Sequence, residues 1–513
     1  MKLLRFGFLC IVICLVIGFY NPPSTSASQL SAEIEWQTPL NVSKSPDRTS
    51  TDPFLIPDPA GPVHLFWAEK MNLIEGNQPD TLLYTAWDGA TWRRPVDLFF
   101  ATGGTPLVAY PHGVMDDHGK IHLFWLSQPN FPNYTLYYSN APASKAGNAL
   151  DWKPEERLVD DLTGTQYSID VKYRSPGELH VIFARVQQGA SPPEERAVSY
   201  IHSIDYGETW SDPIDIYSFP SIEHGGSNTR LILDRDQIIY TTWTEWDGTG
   251  NGLRVWFCRS VDNGNTWETP IMLSERLGNE YERDWAAITL LDEGQIVVMW
   301  EGGWRAYRNA QYSFDAGVTW TRPIDTFPWL IGENGFVEFA RDSNGTLHAF
   351  LSQRLREGYS YYGETDSSAL WHSVWEGNQR WSEPVLANGF NPMLNPKVVI
   401  FNGNRVMAVW YTIPTLEIIT MQGVISGAPA IKNRPVVTTI DSDLPEMPGK
   451  EAPTSTSVEQ VDQQRMPTET ELASSLNPSP NIQEESFPTW RVGGLAIIGS
   501  VLIVIVLWMR RKR

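Results

Sequence analysis

Short apolar runs that end in a large side chain recur at regular intervals along this chain. Seven of them follow a turn containing Gly or Asp, at residues 64–67, 122–125, 180–183, 239–243, 297–300, 348–351 and 407–410. They are nearly continuous rather than alternating, which is typical of strands buried on both faces. A further apolar strand follows, as at residues 136–139 and 198–201, and no strong helical period accompanies it. The pattern therefore predicts an all-β protein.

Tryptophans recur in step with these strands, at intervals of 56, 60, 58, 57, 53 and 61 residues. They are Trp36, Trp92, Trp152, Trp210, Trp267, Trp320 and Trp381. Six of the seven open a W-x-x-P motif. A fixed period of this length is the signature of a repeat architecture, and four short strands per repeat indicate a β-propeller.

The repeats also predict how the ring closes. Six complete repeats begin near residues 51, 108, 165, 229, 284 and 335, and a seventh set of three strands, over about 395–426, lacks its tryptophan strand. An unpaired tryptophan strand precedes them at residues 33–42. Pairing it with the last repeat would remove exposed strand edges, which promote aggregation. We predict a seven-bladed propeller over residues 33–426, closed by the N-terminal strand, with six blades as the alternative.

Both ends of the chain are hydrophobic. Lys2 and Arg5 precede an apolar run and then small residues, which predicts a signal peptide over residues 1–28, with an uncleaved anchor as the alternative. Residues 427–489 are rich in Pro, Ser, Thr, Glu and Gln and predict a disordered stalk. Residues 490–513 predict one transmembrane helix with a cytoplasmic basic tail. Together these segments predict a single-pass plasma-membrane protein with an extracellular propeller, as on a bacterial cell surface.

Composition narrows the choice of partners. The formal net charge of −21 argues against a nucleic-acid partner. Cys10 and Cys14 lie in the predicted signal peptide and leave Cys258 alone, so no internal disulfide can form. The domain must therefore be stabilised by its core, and we expect a monomer.

Three of the tryptophan motifs carry the fuller pattern S-x-D-x-G-x-T-W, at residues 203–210, 260–267 and 313–320, with a degenerate copy at 87–92. This pattern resembles the Asp-box, or BNR repeat, of the sialidase (neuraminidase) superfamily, and the resemblance covers residues 33–426. Its Asp can accept N–H bonds within a tight turn, and its Gly can adopt a positive φ. A calcium loop would need several carboxylates, so we predict a structural role, with no metal and no cofactor. The Asp-box residues are Asp205, Gly207, Trp210, Asp262, Gly264, Trp267, Asp315, Gly317 and Trp320.

The propeller topology predicts where a ligand would bind. The Asp-boxes lie between the third and fourth strands, on one face, and the resemblance to sialidases implies a ligand on the opposite face, over the central channel. The turns expected there mix arginines, carboxylates and aromatics, which suits sugar binding. The predicted substrate-binding residues are Arg48, Arg230, Arg283, Arg308, Trp246, Trp304 and Trp285.

The resemblance also implies catalytic roles. Sialidases hold the substrate carboxylate with three arginines and use a Tyr paired with a Glu as nucleophile. The candidates here are Tyr359, Glu301 and Glu245. The chain departs from the family in the first blade, where Leu55-Ile56-Pro57 replaces the R-I-P motif, and no acid/base Asp stands out. We therefore predict recognition of an extracellular glycan or glycoprotein. The alternatives are an active exo-sialidase or other glycoside hydrolase, and a protein-binding scaffold.

Overall fold

A computed structural model describes the chain from residue 33 to residue 431. The exceptions are residues 46–47, 72–79, 101–107, 131–132, 163–168, 188–194, 222, 248–250, 278–282, 303–306, 332–335, 354, 357–367, 389–392 and 414. The predicted signal peptide, the transmembrane helix and all but the first residues of the stalk lie outside this part of the chain. Within it, no helix is both long enough and apolar enough to cross a membrane.

Seven antiparallel units form the seven blades of a propeller, as the repeat count predicts, and the pairing of Leu162 with Arg185 joins blades 2 and 3 into one eight-stranded sheet. Blade 1 consists of Arg48–Pro57, Val63–Met71, Thr81–Trp87 and Val96–Phe100. Blade 2 consists of Val108–Met115, Lys120–Asn130, Asn133–Pro142 and Glu156–Leu162. Blade 3 consists of Ile169–Arg174, Glu178–Gln187, Glu195–Ser203 and Ile214–Ser218. Blade 4 consists of Gly225–Leu233, Ile239–Trp246, Gly252–Ser260 and Ile271–Glu275.

The remaining three blades vary more in their outer strands. Blade 5 consists of Asp284–Asp292, Gln295–Gly302, Tyr307–Ser313 and Ile324–Asp325. Blade 6 consists of Val337–Arg341, Leu347–Gln353, Ala369–Gly377 and a fourth strand in two pieces, Arg380–Trp381 and Val385–Leu386. Blade 7 contains Met393–Phe401, Arg405–Thr412 and Ile418–Ile425. A short pair outside the blades joins Leu330–Ile331 to Leu355–Arg356, and the described helices are 3-10 turns at Ala143–Lys145, Ala149–Asp151 and Arg235–Gln237.

The N-terminal strand closes the ring, which confirms the predicted closure. Ile34–Trp36 and Leu40–Asn41 pair with the third strand of blade 7, with Trp36 opposite Gly423. The Trp36 indole also packs edge-on against Phe350 of blade 6, with 6.4 Å between ring centroids. The last blade is therefore completed by a segment almost 400 residues away in sequence, since Asn41 donates to Glu417 across 376 positions.

The core lies between the blades and is built on their second strands. Five tryptophans within these strands are at most 1% exposed, namely Trp67, Trp125, Trp243, Trp300 and Trp410. Each second strand is hydrogen bonded on both sides, so both of its faces pack against neighbouring blades. This explains why the apolar runs in the sequence are continuous.

The three S-x-D-x-G-x-T-W turns, called Asp-box turns here after the motif that they resemble, are stabilised by internal hydrogen bonds. Asp262 accepts from the Thr266 N–H at 2.8 Å, from the Thr266 hydroxyl at 2.6 Å and from the Ser260 hydroxyl at 2.8 Å. The boxes of Asp205 and Asp315 repeat these contacts. The Thr266 hydroxyl bond is the main reason that the pKa of Asp262 is lowered. The carboxylate oxygens are thus used within the turn.

Each full Asp-box also contacts the blade before it. A Cβ placed on Gly264 would lie 2.4 Å from the hydroxyl of Tyr200, and one on Gly207 would lie 2.1 Å from that of Tyr138. These tyrosines are fixed in turn by buried histidines, since His180 bonds the Tyr200 hydroxyl at 2.6 Å. The boxes therefore lock successive blades together on the Asp-box face, which we define as the face carrying these turns.

Candidate ligand-binding site

The face opposite the Asp-boxes is called the ligand face here, and the first strand of every blade begins at it. The second strands end and the third strands begin at the same face, so the loops that join these strands and the loops that join the blades start there. Many of those loops fall outside the described residues. The described part of the ligand face consists of the strand ends around the mouth of the central channel.

Five first strands carry a β-bulge close to the ligand face. Each bulge centres on a non-glycine residue with φ between 48° and 55°, and the five residues are Asp52, Tyr110, Asn228, Trp285 and Asn395. The strand register shifts at all five places. Strained, bulged backbone of this kind re-aims side chains and clusters near functional sites. Two residues after four of the bulges stand Phe54, His112, Arg230 and Lys397.

Charged and polar side chains of different blades meet across the channel. Burial, together with the charges of Lys397 on blade 7 and Arg230 on blade 4, lowers the pKa of His112 on blade 2 to about 3. The charges of Arg230 on blade 4 and Asp170 on blade 3 also act on the pKa of Lys397. Blades 2, 4 and 7 are not neighbours, so these groups can interact only through the channel. We call His112, Asp170, Arg230, Glu338 and Lys397, together with Lys172, the channel belt.

Most members of the channel belt are already paired. The Lys397 ammonium lies 2.7 Å from Glu338, and the Lys172 ammonium lies 2.7 Å from Asp170. Asp170 also accepts from the backbone N–H of Leu231 at 2.9 Å. Although burial opposes it, the charges of Lys172 and Arg230 hold the pKa of Asp170 below its usual value. Asp170 is therefore ionised, and both it and Glu338 are held by a lysine.

Arg230 differs from its neighbours in the channel belt. Its half-buried guanidinium donates to the backbone oxygen of Thr229 at 3.2 Å and forms no ion pair with any residue that the structure describes. A guanidinium offers five N–H donors in a planar fork. The structure thus presents a cation inside the channel whose donors are mostly available for an incoming acidic group.

Glu245, one of the predicted catalytic carboxylates, is buried and fully bonded. It is 1% exposed and accepts hydrogen bonds from Trp256 at 2.7 Å and from Arg254 at 2.9 Å. A ring nitrogen of His224 lies 2.7 Å from the same carboxylate. Arg254 is shared with Glu275 at 2.8 Å. This arrangement anchors the end of blade 4 and engages both carboxylate oxygens of Glu245.

Glu301 and Arg308 lie in a second buried cluster, between blades 5 and 6. Arg308 is fully buried, and burial lowers its pKa to about 10. Its guanidinium donates to Gln353 at 2.9 Å and lies 4.0 Å from Glu301, which is 5% exposed. The nearby charge of Asp284 also favours ionised Arg308. Arg308, one of the predicted substrate-binding residues, is therefore covered by its neighbours and does not reach the surface that the described residues form.

The other predicted ligand contacts are spread around the rim. Arg48 lies 3.6 Å from the buried carboxylate of Glu69 on blade 1. Arg283, in the link before blade 5, donates to Ser274 at 3.1 Å. Trp246 donates to Asp284 at 3.0 Å and meets Trp285 edge-on at 6.4 Å between centroids. Trp285 in turn packs on Phe336 at 4.3 Å.

The structure therefore brings some predicted residues together and separates others. Trp246, Trp285, Glu301 and Arg308 share the region of blades 4 to 6, joined through Asp284. Arg48 is bound to a different carboxylate on blade 1. Trp304 and Tyr359 lie outside the described residues.

Sequence reasoning missed most of the channel belt and one carboxylic acid. Asp52 is 4% exposed, and burial raises its pKa above the usual value. One of its oxygens accepts from Thr51 at 3.0 Å, and the other is buried and has no hydrogen-bond partner among the described residues. Its charge acts on Tyr134 and Tyr411 of the two flanking blades. A signal was present in the sequence, since Asp52, Tyr110 and Asn395 each precede a proline at the same point of the repeat.

Comparisons with known proteins give only distant likenesses. No family model and no curated protein matches the chain. A protein of unknown function from Dyadobacter fermentans has 12% identity over 76% of this chain and 99% of its own, with a TM-score of 0.43. A polysaccharide lyase of family PL25, described as an ulvan lyase, has 12% identity over 77% and 94%, with a TM-score of 0.47.

A sialidase is also among the similar structures. The Hadza microbial sialidase Hz136 has 16% identity over 74% of this chain and 66% of its own, with a TM-score of 0.42. What these proteins act on is a property of those proteins, and likenesses this distant do not carry it over. The assignment of seven blades rests on the strand pairing of this chain itself.

Proposed function

We propose that this protein recognises an extracellular glycan or glycoprotein through the mouth of its central channel, and that the sugar carries an acidic group. The observation that carries the proposal is the guanidinium of Arg230, which is half-buried in the channel and bonded to a backbone oxygen. Lys172 and Lys397 are each paired with a carboxylate and His112 is neutral, so Arg230 supplies the net positive charge of the channel belt. A carboxylate or sulfate on the sugar would complete the unused donors of Arg230 by charge-assisted hydrogen bonds.

The state of the carboxylates supports recognition rather than turnover. Glycoside hydrolysis commonly uses a pair of accessible carboxyl groups, one to donate and one to accept a proton or to attack. Glu245 is bonded by three side chains and is 1% exposed. It serves as an anchor for blade 4. The partly exposed rings of Trp246 and Trp285 supply aromatic surface beside the mouth for apolar faces of a sugar.

The ends of the chain support display at a cell surface. The N–H of Ser426 donates to Glu33, and the segment after it bonds to turns of blades 6 and 7 on the Asp-box face. The described residues thus begin and end on that face. With the predicted signal peptide, stalk and transmembrane helix, this suits a surface receptor whose channel mouth is open to ligands.

The test is an array of neutral and acidic glycans probed with the full chain in detergent. We expect binding to acidic glycans, weakened by Arg230→Gln by about tenfold or more, since hydrogen bonds to charged groups contribute about 1.5–3 kcal/mol. Arg235→Gln is the matched control, because Arg235 is on the same blade but at its other end, with its side chain 81% exposed. Equal binding by the two variants, or binding to neutral glycans alone, would refute the proposal.

A glycoside hydrolase is the second candidate, and Asp52 is the observation that favours it. A buried carboxyl with a raised pKa remains protonated at higher pH and can act as a general acid. The Asp52 side chain lies at a bulge near the channel mouth, with the charges of Lys70 and the rings of two tyrosines close by.

Hydrolysis of a fluorogenic sialoside and of a panel of other aryl glycosides would decide between the two functions. If the protein is a hydrolase, Asp52→Asn should lower kcat at least about a hundredfold, because general acid catalysis contributes about 10²–10⁴. Tyr359→Phe should abolish turnover if the reaction follows the sialidase scheme. Absence of turnover by the wild type across acidic and neutral pH would leave recognition as the function.

A further inference from the structure

A cleft at the outer rim of the propeller, between blades 1 and 2, has a composition unlike the rest of this acidic chain. Its volume is about 400 Å³. That falls within the range of about 300–1,000 Å³ typical of small-ligand sites. Three basic side chains and one acid line it, namely Arg93, Arg94, Lys145 and Asp151, beside Ser144 and Asn148. The cleft belongs to outer strands and the turn between the third and fourth strands of blade 2, away from the channel mouth.

Two of the three basic side chains that line the cleft form no ion pair with a described residue. Lys145 lies 3.6 Å from Asp151, which also accepts from the Asn148 amide at 2.7 Å. Arg93 and Arg94 are exposed, and their guanidinium groups have neither an ion pair nor a hydrogen bond with any described residue. The cleft therefore has a net charge of +2 from its lining residues, three bases less one acid, in a chain whose overall charge is −21.

Both walls of the cleft depart from the repeat. In the W-x-x-P motif of blade 1 both middle positions are arginine, whereas no other copy has more than one basic residue there. Blade 2 has no Asp-box, and two 3-10 turns, Ala143–Lys145 and Ala149–Asp151, replace it. Departures of a repeat from its own pattern are expected where function, rather than folding, selects the residues.

The wall from blade 2 is rigidly held. Trp152, directly after the second 3-10 turn, donates to the backbone oxygen of Ala146 at 3.0 Å. Its ring is 6% exposed and packs edge-on against Phe66 and Phe99 of blade 1, with centroids 6.0 and 5.7 Å apart. The turn that carries Lys145 is thereby fixed against blade 1, where Arg93 and Arg94 lie between the third and fourth strands, so the cleft exists before any ligand arrives.

We propose that this cleft binds a phosphate monoester. Such a group carries a charge between −1.5 and −2 at neutral pH, which matches the net charge of the lining. Guanidinium groups pair with phosphate oxygens through two parallel N–H bonds, and an ammonium adds a point charge. Val96 is the one aliphatic side chain among the lining residues, so the cleft suits a polar ligand rather than a hydrocarbon chain. The ester could belong to a sugar or to a lipid headgroup.

The test compares matched variants of the full chain. Arg93→Gln with Arg94→Gln removes both free cations. Arg322→Gln is the control, because Arg322 is exposed and occupies the position of Arg94 in the W-x-x-P motif of blade 5. The probes are glucose 6-phosphate, glucose 6-sulfate and phosphatidylcholine vesicles with or without phosphatidic acid, measured by calorimetry and vesicle sedimentation.

We expect the wild type and Arg322→Gln to bind a phosphate monoester, and the double variant to bind it at least tenfold more weakly. Affinity should rise between pH 5 and pH 7, since the second phosphate proton leaves near pH 6, and should exceed that for the singly charged sulfate. Binding of glucose 6-phosphate would identify a sugar ester, and binding of phosphatidic acid vesicles alone a lipid ester. No binding to either phosphate, or equal binding by the double variant, would overturn the proposal. Because Arg230 would also attract an acidic sugar, the comparison is repeated in the Arg230→Gln background, where loss of Arg93 and Arg94 should still weaken binding at least tenfold; this separates the cleft from the channel mouth.

Discussion

Single buried side chains govern how this protein responds to acid. His180 is 0% exposed, and burial lowers its pKa to about 3. Burial lowers the pKa of His112 and His372 to about 3 as well. Each of these histidines is hydrogen bonded within the fold while neutral, to Tyr200, the Tyr110 backbone and His348 respectively. The sequence shows histidines at equivalent strand positions, but their depth is a property of the assembled blades.

This burial predicts a loss of stability in mild acid. An unfolded histidine takes up a proton near pH 6.5, whereas these three stay neutral in the folded chain down to about pH 3. Below pH 6.5 the unfolded state therefore binds more protons, and each histidine lowers the free energy of unfolding by up to about 1.4 kcal/mol per pH unit. Asp325 is exposed, but partial desolvation raises its pKa to about 6, so it acts in the opposite direction below about that pH.

Replacing one histidine isolates its contribution. His180→Gln should lose stability at pH 7.5, because the bond to Tyr200 is altered, but it should then depend less on pH. Urea unfolding from pH 7.5 to pH 4.5 should show a slope below pH 6.5 that is smaller by about 1.4 kcal/mol per unit than that of the wild type. Parallel curves for the two proteins would contradict this account.

At the scale of elements, the Asp-box turn connects the sequence motif to the packing between blades. The hydrogen bonds of its Asp, Ser and Thr form within eight residues and follow from local chemistry. The need for glycine has two causes, a positive φ at the turn and the tyrosine of the preceding blade against it. The second cause depends on the tertiary structure.

The two causes can be separated by substitution. Gly264→Ala forces a residue with φ of 87° and places its Cβ 2.4 Å from the Tyr200 hydroxyl. Gly377→Ala imposes a similar φ of 83° with no atom within 4 Å. Positive φ in a non-glycine residue costs about 1–3 kcal/mol. We expect Gly377→Ala to lose about that much in urea unfolding and Gly264→Ala clearly more. Equal losses would show that contact between blades adds nothing.

For the whole molecule, closure of the ring creates the site. Seven first strands around one axis bring His112, Asp170, Arg230 and Lys397 from four blades into one channel. No two of these residues are close in sequence, and each blade by itself would present one charged side chain on a strand edge. The candidate site is therefore a property of the closed propeller, and opening the ring at the Ile34–Trp36 strand would disperse it.

From the amino-acid sequence alone one can predict the blade count, the closing strand and the turns that hold the blades together. These follow from periodic apolar runs and from hydrogen bonds between residues a few positions apart, so they can be recognised in the chain. It also pointed to Arg230, because the repeat places this residue near the mouth of the channel. It could not indicate that Arg308 is fully buried or that Glu245 is held by three donors.

Which charged side chains face the channel, and which are buried between blades, depends on the packing of the blades in the tertiary structure. A bulge of one residue turns a side chain from one side of a strand to the other, and five first strands contain one. Exposure and pairing then depend on the neighbouring blade, which lies tens to hundreds of residues away along the chain. The period of the sequence predicts the ring. The departures from that period acquire a meaning only in the folded structure, which places Arg230 in the channel and Arg93 and Arg94 in the rim cleft.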